Sequence, residues 1–88
     1  MKKELIVISA VWCPSCLIIK KELKKLKEEI NNINITQLDY DLDDQVKDYN
    51  VGEKLPVIIL IDENKKEIGR LIGEKNYKEI LEFIRGDN

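Results

Sequence analysis

The segment that most constrains this chain is the hexapeptide at 11–16, VWCPSC, which holds both cysteines, the only tryptophan and one of the two prolines. It lies between an apolar run at 5–8 and a long segment with helical periodicity, so it falls where a strand would end and a helix would begin. A disulfide between Cys13 and Cys16 would close too short a loop to stabilise a fold. The spacing therefore indicates redox chemistry or a metal site.

The remaining patterns predict the element order βαβαββα. Two continuous apolar runs, at 4–9 and 56–61, are typical of strands buried on both faces. Apolar residues recur from Cys16 to Ile30 in steps of three and four, which predicts an amphipathic helix that stops at 31–32, two asparagines. The shorter elements are a strand at 33–40, a short helix at 45–49 after an acidic turn, a return strand at 67–72 behind a hairpin turn, and a last helix at 77–84.

This order predicts an α/β fold with a four-stranded mixed sheet. The first two strands are joined by a helix, so we expect them to be parallel with a right-handed crossover. The last two are joined by a short turn and should be antiparallel. The two apolar strands should be central, with helices on both faces of the sheet.

Composition excludes several functional classes. The chain has no histidine, which removes Ser-His-Asp triads, Cys-His dyads and histidine-ligated metals. A formal net charge of −2 gives no basis for binding nucleic acid or an anionic membrane. No apolar run approaches the roughly 20 residues of a membrane span, and Glu4 interrupts the N-terminal run, which favours a strand over a signal peptide. We therefore expect residues 1–88 to form one domain, a cytoplasmic monomer that binds neither nucleic acid nor membrane.

The position of the two cysteines predicts different roles for them. Pro14 suits the first helical position, which places Cys13 at the N-cap, where unpaired N–H groups stabilise a thiolate. Cys16 belongs to the periodic apolar face of the predicted helix and should be buried. Residues at i and i+3 on a helix have Cβ atoms about 5–6 Å apart, which is close enough for a disulfide after a small rotation. We predict that Cys13 is the exposed, attacking thiol, that Cys16 resolves the mixed disulfide, and that Trp12 forms an apolar lip beside them.

A strand, Trp-Cys-x-x-Cys, a helix, and then a proline that opens a strand before a β-hairpin and a last helix resemble the thioredoxin/glutaredoxin superfamily. The resemblance covers about residues 3–84 and implies a thioredoxin fold of glutaredoxin size, without the extra N-terminal strand and helix of full-length thioredoxins. It also implies that the Leu55–Pro56 bond is cis and faces a redox-active Cys13–Cys16 disulfide. The substrate-binding residues that it implies are Trp12, Pro14, Leu55, Pro56 and Gly73.

The chain departs from both branches of that superfamily. The Pro14-Ser15 pair between the cysteines is closer to the glutaredoxin pattern than to the Gly-Pro of thioredoxins. Val7 stands where thioredoxins carry a buried aspartate, and Gln37 replaces a buried lysine, so Cys16 has no evident internal base. The glutathione-binding fingerprint is not intact, because the chain has Lys-Leu-Pro at 54–56 and a single glycine at 73.

The resemblance implies a thioredoxin-like protein-disulfide reductase, or one with glutaredoxin-like activity, that needs no bound cofactor or metal. Its partners would be disulfide-containing proteins and a regenerating system, either a flavoprotein of the thioredoxin reductase type or glutathione. Two other functions are consistent with the same residues. One is a redox-sensing or redox-inactive adaptor that holds a peptide near Leu55 and Pro56. The other is a dimeric iron–sulfur or zinc scaffold built on Cys13 and Cys16.

Overall fold

The structure, a computed structural model, describes residues 3–30 and 33–86 and has the predicted order of elements. The helix stop predicted at 31–32 lies outside the described residues. The middle helix, predicted at 45–49, is a 3₁₀ helix that starts one residue earlier. The elements are β1 (Lys3–Ser9), α1 (Pro14–Glu29), β2 (Ile33–Asp39), the 3₁₀ helix (Asp44–Tyr49), β3 (Val57–Ile61), β4 (Glu67–Ile72) and α2 (Tyr77–Arg85).

The sheet has the strand order β2-β1-β3-β4, with the two apolar strands in the centre as predicted. Strand β1 is parallel to β2 and antiparallel to β3, and β3 is antiparallel to β4. The C-terminal ends of β1 and β2 therefore lie at the same edge as the start of β3 and the end of β4. The hexapeptide follows β1 directly, so this edge of the sheet carries the two cysteines.

Both α helices pack on one face of the sheet, and the 3₁₀ helix covers the other. Alternate residues of the central strands point to opposite faces, which divides the core into two clusters. The first joins the sheet to α1 and α2 and contains Leu5, Val7, Ile19, Leu23, Leu26, Ile33, Ile58, Leu60, Ile80 and Ile84. The second lies under the 3₁₀ helix and contains Ile6, Ile8, Leu38, Val46, Val57, Ile59 and Ile61. Each fully buried aliphatic side chain contributes about 1.5–3 kcal/mol of hydrophobic stabilisation.

Local interactions fix where the C-terminal elements begin and how they pack. The Asn76 side chain accepts a hydrogen bond from the Glu79 N–H, and the Glu79 side chain accepts one from the Asn76 N–H, which forms a capping box at the start of α2. In β4, a Cβ atom at Gly69 would lie 3.2 Å from the Phe83 ring, so the glycine lets α2 approach the strand closely. Among the described residues, no helix has the length and apolar content that crossing a membrane requires.

Candidate active site

The N-terminus of α1 positions both thiols. Pro14 occupies the start of the helix and Cys13 is the N-cap, as predicted, and the Cys13 backbone is extended. The Cys13 N–H donates to the Ala10 carbonyl oxygen at 3.2 Å, and the Cys16 N–H donates to the Cys13 carbonyl oxygen at 3.2 Å. These turn contacts bring Cys16 into the first helical turn, on the buried side of α1. Both cysteines are free thiols in this structure.

Cys16 is completely buried, and its environment favours the protonated thiol. Burial, followed by a hydrogen bond with the Cys13 side chain, raises the pKa of Cys16 from its ordinary 9.0 to about 11. The backbone N–H of Ala10 and the charge of Lys20 oppose this rise only in part. The prediction that Cys16 is buried is confirmed.

The prediction that Cys13 is an exposed thiol is wrong. Only 6% of Cys13 is exposed, although this still exceeds the 0% of Cys16. Its Sγ donates to the Leu55 carbonyl oxygen at 3.7 Å, and Tyr40 and Leu55 pack against the small cluster that Ala10 forms with the two cysteines. The Cys13 side chain therefore points toward Leu55, in the segment before β3.

Leu55, Pro56 and Gly73 lie together at this edge. The Leu55–Pro56 peptide bond is cis, which confirms the conformation implied by the resemblance, and Pro56 is buried. The Pro56 carbonyl oxygen accepts a hydrogen bond of 2.8 Å from the Gly73 N–H. Gly73 has a φ of +93°, a region that residues with a Cβ atom rarely adopt. The hydrogen bond joins the start of β3 to the end of β4, so these three of the five residues predicted to bind substrate lie at the same edge of the sheet as Cys13.

Trp12 lies at the rim of the site, where two contacts hold its ring. The side chain is 58% exposed, and its ring meets that of Tyr40 edge-on with centroids 6.4 Å apart. The indole Nε1 donates to Asp41 Oδ2 at 2.7 Å. The sequence analysis placed Tyr40 at the end of a predicted strand and Asp41 in the acidic turn after it, and gave neither residue a role in the site. Because β2 is parallel to β1, the residues that follow β2 lie at the edge that carries the hexapeptide. The predicted parallel pairing could therefore have identified Tyr40 and Asp41 as residues of the site.

Val7, at the position where the resemblance implies a buried aspartate, lies fully buried in the core and pairs with Gln37 across the parallel strands. Among the described residues, the groups that shift the Cys16 pKa are Cys13, Ala10 and Lys20, and none of them is a carboxylate. Within residues 3–30 and 33–86, no three Cys, Asp or Glu side chains converge on a point that could hold a metal. The groups that the structure brings together at this site are the two thiols and the N-terminus of α1.

The sequence model of one protein family, described as thioredoxin, matches residues 1–86. The chain belongs to the thioredoxin family. Together with the Cys-x-x-Cys spacing, this membership supports a thiol-disulfide oxidoreductase. A search of curated proteins found no match to this thioredoxin-family chain.

Solved thioredoxin structures share the fold. Fasciola hepatica thioredoxin has a TM-score of 0.86 at 23% identity, over 99% of this chain and 82% of that one. Thioredoxin-2, a component of the malaria parasite protein secretion machinery, has a TM-score of 0.86 at 22% identity, over 97% of this chain and 82% of that one. Mitochondrial thioredoxin 3 from Saccharomyces cerevisiae, in its oxidised form, has a TM-score of 0.82 at 23% identity, over 96% of this chain and 77% of that one. At these identities the likeness concerns the fold.

Proposed function

We propose that this thioredoxin-family protein is a dithiol reductase that reduces disulfide bonds in other proteins. The observation that carries the proposal is the difference between its two thiols. Cys13 lies at the N-cap of α1 beside the cis Leu55–Pro56 bond, whereas Cys16 lies in the buried first turn with a pKa raised to about 11 by burial. A thiolate is stabilised at a helix N-terminus, and a second thiol in reach can resolve the mixed disulfide.

The reaction has two steps that balance without a cofactor. The Cys13 thiolate attacks one sulfur of the substrate disulfide, which forms a mixed disulfide and releases the first substrate sulfur as a thiolate that takes up a proton. Cys16 then loses its proton and attacks Cys13 Sγ, which releases the second substrate sulfur. The substrate gains two electrons and two protons, and the protein is left with a Cys13–Cys16 disulfide.

The surface around Cys13 suits an extended segment of the substrate. Trp12 offers an exposed apolar face at one side of the thiol, and its contacts with Tyr40 and Asp41 limit the motion of the ring. The backbone before Pro56 offers polar groups at the other side. We assign substrate binding to Trp12, Pro14, Leu55, Pro56 and Gly73.

Regeneration requires a two-electron donor from outside the chain. We propose a flavoprotein of the thioredoxin reductase type, because the residues that glutaredoxins use for glutathione are replaced at 54–56 and after Gly73. Glutathione is the second choice. We further propose that the chain acts as a monomeric single domain in the cytoplasm, where a reducing environment keeps both thiols reduced.

Insulin reduction with dithiothreitol tests the proposed activity. The wild-type protein is expected to shorten the lag before the freed insulin chains precipitate, and Cys13→Ser is expected to match the rate of dithiothreitol alone. Wild-type turnover no faster than that of Cys13→Ser would contradict a reductase and favour the adaptor. An absorption spectrum and a metal assay of anaerobically purified protein test the cluster scaffold. NADPH-coupled assays with thioredoxin reductase, or with glutathione and glutathione reductase, identify the electron donor.

A further inference from the structure

Helix α1 exposes apolar side chains only near the two cysteines. Leu17 is 57% exposed and Ile18 is 47% exposed. Pro14, at the start of the helix, is exposed as well. Beyond Ile18 every exposed residue of α1 is charged, namely Lys20, Lys21, Lys24, Lys25, Lys27, Glu28 and Glu29. The change from apolar to charged surface therefore occurs within two turns of Cys13.

Pro14, Leu17 and Ile18 form one continuous surface, which we name the apolar stripe. Residues three and four apart are neighbours on a helix, so Leu17 and Ile18 both lie beside Pro14. Leu17 also follows Cys13 by four residues, which places it one turn along the helix from the N-cap. Trp12 precedes Cys13 and is 58% exposed, so exposed apolar side chains flank this cysteine on both sides along the chain.

The apolar stripe has no role in the core of the molecule. The residues that α1 buries are Cys16, Ile19, Leu23 and Leu26, on the opposite side of the helix. Neither Leu17 nor Ile18 belongs to a buried cluster among the described residues. Single exposed aliphatic residues are ordinary on protein surfaces, but contiguous ones beside a reactive group mark an interaction site.

We infer that Leu17 and Ile18 are specificity-determining residues that contact apolar side chains next to the disulfide of a substrate protein. The inference rests on the proposed function. The partner that covers the apolar stripe is a protein substrate, because the stripe begins beside Cys13. A substrate disulfide must reach the Cys13 thiol to react. A small disulfide such as 5,5′-dithiobis(2-nitrobenzoate) reaches Cys13 without covering α1. Protein and small-molecule substrates should therefore depend differently on the apolar stripe.

The test compares two substrates on three proteins. The variant is the double substitution Leu17→Gln with Ile18→Gln, which keeps side-chain length and helix propensity but removes apolar surface. The matched control is Ile68→Thr, because Ile68 is 53% exposed and lies at the start of β4, the sheet edge opposite the cysteines. Insulin and 5,5′-dithiobis(2-nitrobenzoate) are the disulfides, with the reduction potential of the Cys13–Cys16 couple and the melting temperature measured for each protein.

The kcat/KM of the double variant with insulin is expected to fall about tenfold. This is the loss expected when roughly half of the apolar surface of Leu17 and Ile18 would otherwise be buried on docking. The rate of the double variant with the small disulfide should remain within twofold of wild type, and its reduction potential should equal that of wild type within error. The activity of Ile68→Thr should be unchanged with both substrates. Unchanged insulin turnover in the double variant would overturn the inference and leave the reductase intact. An equal loss with both substrates would also overturn it, since the substitutions would then act on the thiols.

Two further outcomes separate the inference from its alternatives. If wild-type protein shows no Cys13-dependent turnover of either disulfide, the proposed function fails and the inference fails with it. If sedimentation shows a wild-type dimer that the double variant converts to a monomer with normal insulin turnover, a second copy of the chain occupies the apolar stripe and the inference is overturned.

Discussion

The buried position of Cys16 predicts that resolution of the mixed disulfide depends steeply on pH. Burial raises the Cys16 pKa to about 11, and resolution requires its thiolate. With that value, only about one Cys16 in 10,000 is ionised at pH 7 and about one in 100 at pH 9. Forming the mixed disulfide removes the hydrogen bond with the Cys13 thiol but leaves the burial, which is the larger cause. The rate of resolution should therefore rise about tenfold per pH unit from pH 7 to 9.

Reaction with 5,5′-dithiobis(2-nitrobenzoate) separates this step from the first attack. Cys13 releases one thionitrobenzoate when it attacks and keeps the other as a mixed disulfide, and Cys16 then releases the second. Stopped-flow measurement of the absorbance of released thionitrobenzoate is expected to show two phases. The slower phase reports resolution by Cys16 and should follow the predicted pH dependence. Cys16→Ser is the control and should release a single equivalent at every pH.

A specific result would refute this reasoning. If the slow phase reaches a plateau below about pH 9, or rises by much less than tenfold per unit, a base must remove the proton at Cys16. The groups that shift the Cys16 pKa include no carboxylate, so such a base would come from a rearranged side chain or from the bound substrate. The backbone of Ala10 and the charge of Lys20 cannot explain such a plateau, because their lowering effects are already included in the Cys16 pKa of about 11.

Three other predictions follow from the contacts of single residues. Because folding raises the Cys16 pKa from 9.0 to about 11, the unfolded chain loses this proton first as the pH rises. The contribution of Cys16 to stability is therefore complete below pH 9, and urea unfolding of the reduced protein should show a loss on the order of 1 kcal/mol by pH 10. Asp41→Ala removes the acceptor of the Trp12 indole, so time-resolved anisotropy of the only tryptophan should show faster ring motion. Asn76→Ala breaks the capping box of α2 and should lower the free energy of unfolding by about 1 kcal/mol.

Each of these predictions has a matched control. Cys16→Ala should lack the extra loss of stability above pH 9, and an equal loss in that variant would assign it to other groups. Asp48→Ala removes an exposed aspartate of the 3₁₀ helix and should leave the tryptophan anisotropy unchanged. Lys78→Ala changes an exposed position of α2 and should be nearly neutral, so a similar loss there would argue against a capping effect.

The sequence predicts the elements because each is specified by neighbouring residues. The apolar run at 56–61 contains β3, which lies in the centre of the sheet. The segment in which apolar residues recur every three or four positions after Cys16 lies in α1. The burial of Cys13 could not be predicted in this way, because it depends on Leu55, which lies 42 residues along the chain. The contact of Trp12 with Asp41 spans 29 residues and depends on the parallel pairing of two strands. The cis bond at Pro56 came from resemblance alone, since most bonds before proline are trans.

The difference between the two thiols has its origin in where α1 begins. Pro14 lacks an N–H and favours the first helical position, so the residue before it becomes the N-cap and leaves the helix. Cys13 is therefore free to turn toward Leu55, while Cys16 enters the first turn on the same side as Ile19. A helix that started one residue later would present its side chains rotated by about 100°, which would take Cys16 off the buried side of α1. One local signal at Pro14 thus determines which sulfur borders the surface and which remains protonated in the core.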